Sequence, residues 1–145
     1  MLVKMRAPAT RYEIGEWPDL REDATRVRLT PAAVTAMHRL ATQWKLTAEQ
    51  MQDLLGGVSA STWHAWRNRP PRDLGVDRLT RASLLLGIHT ALQAIHSAEI
   101  ARMWIQLPNT NPVFGGRTPL EVMREGGIPA MVEVRALLDG RRGGR

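Results

Sequence analysis

The stretch TAEQMQDLLGGVSASTWHAWRNR, residues 47–69, decides the fold. Thr47 is a residue that caps helix N-termini, and it starts a short amphipathic run. That run ends at Gly56-Gly57, since glycine accepts the left-handed conformation that a helix C-terminus commonly needs. Ser59 then caps a second helix, which Pro70-Pro71 terminates. Two short helices joined by a tight glycine turn predict a helix-turn-helix unit.

The second helix of this unit has an apolar and a polar face. Val58, Trp63 and Trp66 are expected to pack inward. The outward side chains are small hydroxyls and cations, which can reach phosphates and base edges of DNA, and the helix dipole favours a phosphate. The predicted DNA-binding residues are Ser59, Ser61, Thr62, His64, Arg67 and Arg69. The alternative is a helical protein that never binds DNA, because short patterns of this kind are common and the basic charge is modest.

Composition limits the remaining functions. The chain has 145 residues, 43% of them hydrophobic, which is enough for one ordinary core or for two small helical halves that share one. It has no cysteine, so packing must supply its stability without disulfides or thiolate metal sites. Its 20 Lys and Arg against 14 Asp and Glu give a net charge of +6, which is compatible with nucleic acid or an acidic protein partner. Residues 58–72 carry arginines and no acid, and residues 140–145 form a second basic segment.

Neither a signal peptide nor a membrane span is indicated. The first residues lack the apolar run of a signal peptide, and no stretch approaches the length of a spanning helix. We therefore expect a cytoplasmic protein with no membrane partner.

Outside the helix-turn-helix, helical signals continue in both directions. Residues 1–29 show little periodicity and predict a flexible N-terminal arm. Thr30-Pro31 is a cap followed by proline, which predicts a helix start, and residues 30–75 form the expected helix-turn-helix domain. Apolar residues at steps of three and four predict one long helix over residues 77–106.

The C-terminal part is also predicted to be helical. Thr118-Pro119 repeats the cap-plus-proline start, Gly126-Gly127 ends that helix, and Pro129 opens a last helix that closes at Gly140. No segment shows strand alternation, so the predicted fold class is all-α: an N-terminal helix-turn-helix bundle, then a long helix and a small helical domain over residues 76–145.

The stretch ARMWIQLPNTNPVFGGRTPLEVMREGG, residues 101–127, combines a Trp, a Pro-Asn break, a double glycine and Arg-Thr-Pro-Leu in fixed order. It resembles the C-terminal toxin-binding domain of the Xre/MbcA/ParS antitoxin family, and residues 30–75 resemble the Xre-type helix-turn-helix. The best-matched positions are Trp104, Pro108, Asn109, Phe114, Gly115, Gly116, Arg117, Thr118, Pro119 and Leu120. The chain departs from the family at Pro129, where a polar stretch is usual.

The resemblance implies an antitoxin of a type II toxin–antitoxin system that represses its own operon by binding operator DNA. Its implied partner is a cognate toxin, most often a RES-domain enzyme that depletes NAD, and a homodimer within the complex is expected because helix-turn-helix proteins usually read paired half-sites. The C-terminal end would approach the toxin's active site, or would be only a solvated tail. The implied toxin-binding residues are Leu137, Leu138, Arg141, Arg142 and Arg145. The alternative function is a stand-alone helix-turn-helix transcriptional regulator whose C-terminal part dimerises.

Little in the sequence suggests catalysis. His89 and His96 lie seven residues apart, whereas two helical metal ligands normally lie at i and i+4. The segment Phe114-Gly115-Gly116 lacks the Lys and glycine spacing of a phosphate-binding loop and predicts a turn. We therefore expect no enzyme activity, no catalytic residue, no metal site and no cofactor.

Overall fold

The described elements of the chain are all helical. A computed structural model describes residues 17–142, and within that range it contains no strand. In chain order the elements are α1 (Asp23–Gln43), α2 (Ala48–Leu54), α3 (Ala60–Ala65), α4 (Val76–Ile95), α5 (Ala98–Met103), two 3-10 turns (Trp104–Gln106 and Pro112–Phe114) and α6 (Pro119–Arg142). The all-α prediction is confirmed.

The first helix starts earlier than predicted. α1 begins at Asp23 and carries Pro31 in its interior, so the predicted start at Thr30-Pro31 is wrong. The reason is tertiary: the Thr30 hydroxyl donates to the Arg26 carbonyl at 2.7 Å and accepts the Leu74 amide at 2.9 Å, and the residue is fully buried. The part of the predicted arm that precedes residue 17 lies outside the described residues.

The helix-turn-helix has the predicted local chemistry. Thr47 caps α2 in a reciprocal box with Gln50, and the Ser59 hydroxyl caps α3 by accepting the Thr62 amide. Gly56 and Gly57 join the two helices with φ of +78° and +104°, values that side-chain-bearing residues rarely adopt. The turn is therefore short and geometrically defined.

The long helix predicted over residues 77–106 is broken. α4 ends at Ile95 because His96 is extended (φ −129°, ψ 161°), and Ser97 then caps α5 by accepting the Ile100 amide at 3.4 Å. A cap residue in the middle of an apolar-periodic run marks this break. The break redirects the chain into α5 and the 3-10 turns.

The last helix, α6, is interrupted at Gly127 (φ 62°, ψ −143°), so the predicted end at Gly126-Gly127 is confirmed as a kink. Pro129 follows in the first turn after the kink, where its missing N–H would be unpaired in any case. The helix then continues to Arg142, two residues beyond the predicted end at Gly140.

A single hydrophobic core joins all the described elements. α4 lies between α1 and α6 and buries Leu85, Ile88 and Leu92 completely. Two large aromatic side chains are buried in this core, with Trp44 at 1% exposure and Phe114 at 0%. Among the described residues, no helix combines the length and apolar character that a membrane span requires.

Candidate DNA-binding and toxin-binding surfaces

The buried side of α3 is held by two tryptophans. Trp63 and Trp66 are 4% and 8% exposed, as predicted. The His38 ring of α1 stacks on Trp63 with centroids 3.7 Å apart and planes 4° apart, and its Nε2 lies 3.0 Å from the Trp63 carbonyl oxygen. These contacts orient α3, so its opposite face is presented outward in a defined direction.

All six predicted DNA-binding residues are on the exposed face of α3 and the chain that follows it: Ser59, Ser61, Thr62, His64, Arg67 and Arg69. Their exposure permits contact with DNA, and their role in binding stays a prediction. The Ser59 hydroxyl already accepts the Thr62 amide at 3.2 Å and contacts the Thr62 hydroxyl at 2.8 Å. Ser59 therefore stabilises α3 as well as being available at its surface.

Other arginines of this half are paired with carboxylates. Arg72 donates to Asp23 at 3.1 Å, and Arg26 donates to Asp73 at 3.0 Å. The backbone N–H of Gly75, followed by the Arg26 guanidinium, lowers the pKa of the Asp73 carboxyl. These pairs connect α1 to the segment between α3 and α4, so their main effect is structural.

The loop after α5 acts as a scaffold. Trp104 and Phe114 are buried and meet edge to face with ring centroids 5.8 Å apart. Gly115 and Gly116 adopt φ of +56° and +82°, and the Asn109 amide donates to the Arg117 carbonyl. The glycines thus close a turn, as the sequence predicts, and α6, which follows it, packs against both 3-10 turns.

The predicted toxin-binding residues have different positions. Leu138 is completely buried in the core, so the prediction that it contacts a toxin is inconsistent with this conformation. Leu137 is half-buried, and Arg141 is exposed near the end of α6. Arg142 is the last residue of α6, and Arg145 lies outside the described residues.

An apolar surface that the sequence reasoning missed lies on α5 and the turn after it. Ile100, Met103 and Leu107 are each 45% or 46% exposed. Met103 and Leu107 line a shallow cavity of about 450 Å³ together with Trp44, Lys45 and other residues. Their spacing at i, i+3 and i+7 was a readable signal. The predicted long helix obscured it, because it assigned the whole segment to one core-facing stripe.

Comparison with known families assigns both halves of the chain. Residues 24–87 match the antitoxin Xre-like helix-turn-helix domain. Residues 91–144 match the antitoxin Xre/MbcA/ParS C-terminal toxin-binding domain. The chain belongs to the Xre/MbcA/ParS antitoxin family. It is thus a type II antitoxin with a DNA-binding half and a toxin-binding half, in families that are generally not enzymes.

The antitoxin is also similar to one curated protein and to no solved structure. It is 35% identical over 123 residues to the uncharacterized protein y4oB of Sinorhizobium fredii (strain NBRC 101917 / NGR234). The aligned region covers 84% of this chain and 91% of the relative. No solved structure matches the chain.

The two halves of the antitoxin are connected by ion pairs. Arg124 of α6 donates to Asp53 of α2 at 3.0 Å and to Glu121 at 3.0 Å, and the hydrogen bond with Asp53 is the main cause of its raised pKa. The two matched ranges also adjoin within α4, at residues 87 and 91. The predicted boundary between residues 75 and 76 stays a prediction.

The histidines of the antitoxin do not gather into a site in the part of the chain that the structure describes. His89 packs edge-on against Trp44, with ring centroids 6.0 Å apart, and burial lowers its pKa. Across residues 17–142, no three His, Cys, Asp or Glu side chains lie close enough together to hold a metal ion.

Proposed function

We propose that this antitoxin neutralises a RES-type, NAD-depleting toxin and represses its own operon as a homodimer. The observation that carries the proposal is the exposed polar face of α3 in a chain whose other half matches a toxin-binding domain. A homodimer would place two copies of α3 in successive major grooves, about 34 Å apart. The NAD-depleting partner is what resemblance to the family implies.

DNA recognition in this proposal depends on α3. Ser61 and Arg67 are exposed, and no carboxylate within residues 17–142 pairs with the Arg67 guanidinium. Arginine can donate two parallel hydrogen bonds to a guanine edge, an interaction worth about 1–3 kcal/mol. We expect the S61A/R67Q variant to bind the promoter fragment about 10- to 100-fold more weakly.

The experiment is a titration of the purified antitoxin on the fragment upstream of its own reading frame. The matched control is S83A/R102Q, which makes the same two changes at exposed residues of α4 and α5. The control should bind DNA like the wild type, and S61A/R67Q should still neutralise the toxin. A wild-type protein that fails to retard the fragment at low salt would contradict the repressor role.

Toxin inhibition in this proposal depends on the end of α6 and the basic tail. A site that consumes NAD must bind a pyrophosphate, and acidic groups in such a site would pair with guanidinium forks. Arg141 is exposed at the end of α6, and the glycines after Arg142 would let the tail arginines reach such a site. Leu137 is half-buried and remains a candidate contact beside it.

We expect deletion of residues 141–145 to weaken toxin affinity and growth rescue. A second variant that replaces Arg141, Arg142 and Arg145 with Gln keeps the length and removes the charge. Reduced affinity in both variants supports insertion of the arginines. If the deletion changes neither toxin affinity nor growth rescue, the arginines do not enter the toxin's active site and the tail is only solvated.

The second candidate function is a stand-alone transcriptional regulator that dimerises through its C-terminal part. The exposed apolar side chains Ile100, Met103 and Leu107 are compatible with it, since such a patch suits a second copy as well as a toxin. Co-expression with the adjacent reading frame and a pull-down distinguish the two functions. Co-purification with a RES-like neighbour favours the antitoxin, and a dimer alone favours the regulator.

A further inference from the structure

Arginines of the helix-turn-helix half fall into two groups according to their partners. Arg26, Arg72 and Arg81 are paired with Asp73, Asp23 and Asp77, at N–O distances of 3.0, 3.1 and 2.8 Å. Arg78, in the first turn of α4, has no ion pair with any carboxylate of residues 17–142. Its partner is an aromatic ring: the Arg78 Cζ lies 5.6 Å from the centre of the Trp66 ring.

The Trp66 ring places this cation beside the C-terminal end of α3. The Trp66 amide donates to the Thr62 carbonyl at 3.0 Å, so the residue prolongs α3 by one position. The next residue is Arg67, and the Arg69 amide donates to the Ala65 carbonyl at 2.9 Å. The Arg78 guanidinium therefore lies beside the C-terminal end of α3, although it comes from a different element, and Arg67 and Arg69 follow that end in the chain.

A guanidinium that packs on an aromatic ring can still bind an anion. A face-on contact within about 6 Å is attractive and restricts the side chain, while the N–H groups at the edge of the guanidinium stay available as donors. Carboxylate pairing would occupy those donors. The available N–H groups suit a phosphate oxygen as acceptor. Contacts from neighbouring elements to the DNA backbone fix the register of a recognition helix.

We propose that Arg78 is a further DNA-binding residue of this antitoxin, contacting a backbone phosphate next to the groove that α3 enters. The inference rests on the proposed DNA-binding function of α3. It predicts a contact that adds affinity without reading sequence, whereas Arg67 and Ser61 belong to the face that reads bases. Nothing in the pattern of residues 47–69 indicates Arg78, since it lies outside that stretch.

The experiment measures binding of the full-length antitoxin to its promoter fragment as a function of salt. Each phosphate contact contributes about 0.9 to the slope of log K against log salt. R78Q should lower the magnitude of that slope by about 1. The ratio of wild-type to R78Q affinity should therefore be about eightfold larger at about 0.1 M salt than at about 1 M. The loss should be equal on a scrambled fragment. R78K should restore most of the slope, because lysine also neutralises a phosphate.

The matched control is R102Q, which removes the same charge from an exposed position on α5. Thermal unfolding of each variant separates loss of folding from loss of binding. If the wild type binds and R78Q keeps the wild-type slope, the assignment of Arg78 is wrong; it is also wrong if R102Q lowers the slope equally. If the wild type itself does not bind the promoter, the proposed repressor function fails first, and the assignment fails with it.

Discussion

The hydroxyl of Thr30 connects α1 to the chain before α4. It donates to the Arg26 carbonyl and accepts the buried amide of Leu74 at 2.9 Å. Valine has nearly the same shape but leaves the Leu74 N–H without a partner, so we expect T30V to lose about 1–3 kcal/mol of unfolding free energy. Chemical denaturation measures this loss. T90V is the control, since Thr90 bonds only within its own exposed helical turn and should change stability by less than about 0.5 kcal/mol.

A second effect at the residue scale concerns pH. Burial beside Trp44 lowers the pKa of His89, so the unfolded chain binds more protons than the folded chain as pH falls through the usual range of histidine. The stability that the neutral ring contributes is complete above about pH 6.5 and is lost below it. We expect H89Q to show a smaller drop in melting temperature between pH 7.5 and pH 5 than the wild type. H64Q, at an exposed position, should keep the full drop; an identical drop in H89Q would contradict the assignment.

At the scale of elements, the helix caps and the glycine turn were predictable because they depend on nearby residues. The caps at Thr47 and Ser59 and the turn at Gly56-Gly57 are all as expected, because each depends on residues within one turn of it. The start of α1 was not predictable, because it depends on Leu74, a partner distant in sequence. The burial of Leu138 was readable, since it follows the buried Met131 and Val134 at helical spacing. Ser97 is a cap residue and so indicated the break before α5, but the apolar spacing over residues 77–106 favoured one continuous helix.

The kink in α6 supplies the prediction that belongs to this scale. Gly127 has φ 62° and ψ −143°, a combination that alanine adopts only under strain. We expect G127A to lose about 1–3 kcal/mol of unfolding free energy and to disturb contacts of the first half of α6 with α2. G140A is the matched control in the same helix, because an added Cβ meets nothing within 4 Å and alanine favours a helix. Equal stability of the two variants would show that the kink does not require glycine.

At the scale of the whole molecule, two family domains share one interior. α4 packs against α1 on one side and α6 on the other, and Arg124 links α6 to α2. The sequence indicated one ordinary core or two small helical halves sharing one; the way in which α4 is buried on both sides is what periodicity alone does not reveal. The proposed DNA-binding and toxin-binding surfaces are therefore connected by packed side chains, and a loss of core packing in one half should lower the stability of the other.

This connection predicts a single cooperative unfolding transition. Val134 of α6 is completely buried, and removing its two methyl groups should cost about 2 kcal/mol. In a W44F/W104F background the remaining tryptophans are Trp17, Trp63 and Trp66, so their fluorescence reports the helix-turn-helix half. V134A should shift the denaturation midpoint of that fluorescence as far as it shifts the helical circular dichroism. V132A, at a position 49% exposed in the same helix, should shift neither. A fluorescence midpoint that stays at the wild-type value while helicity is lost earlier would show that the halves unfold independently.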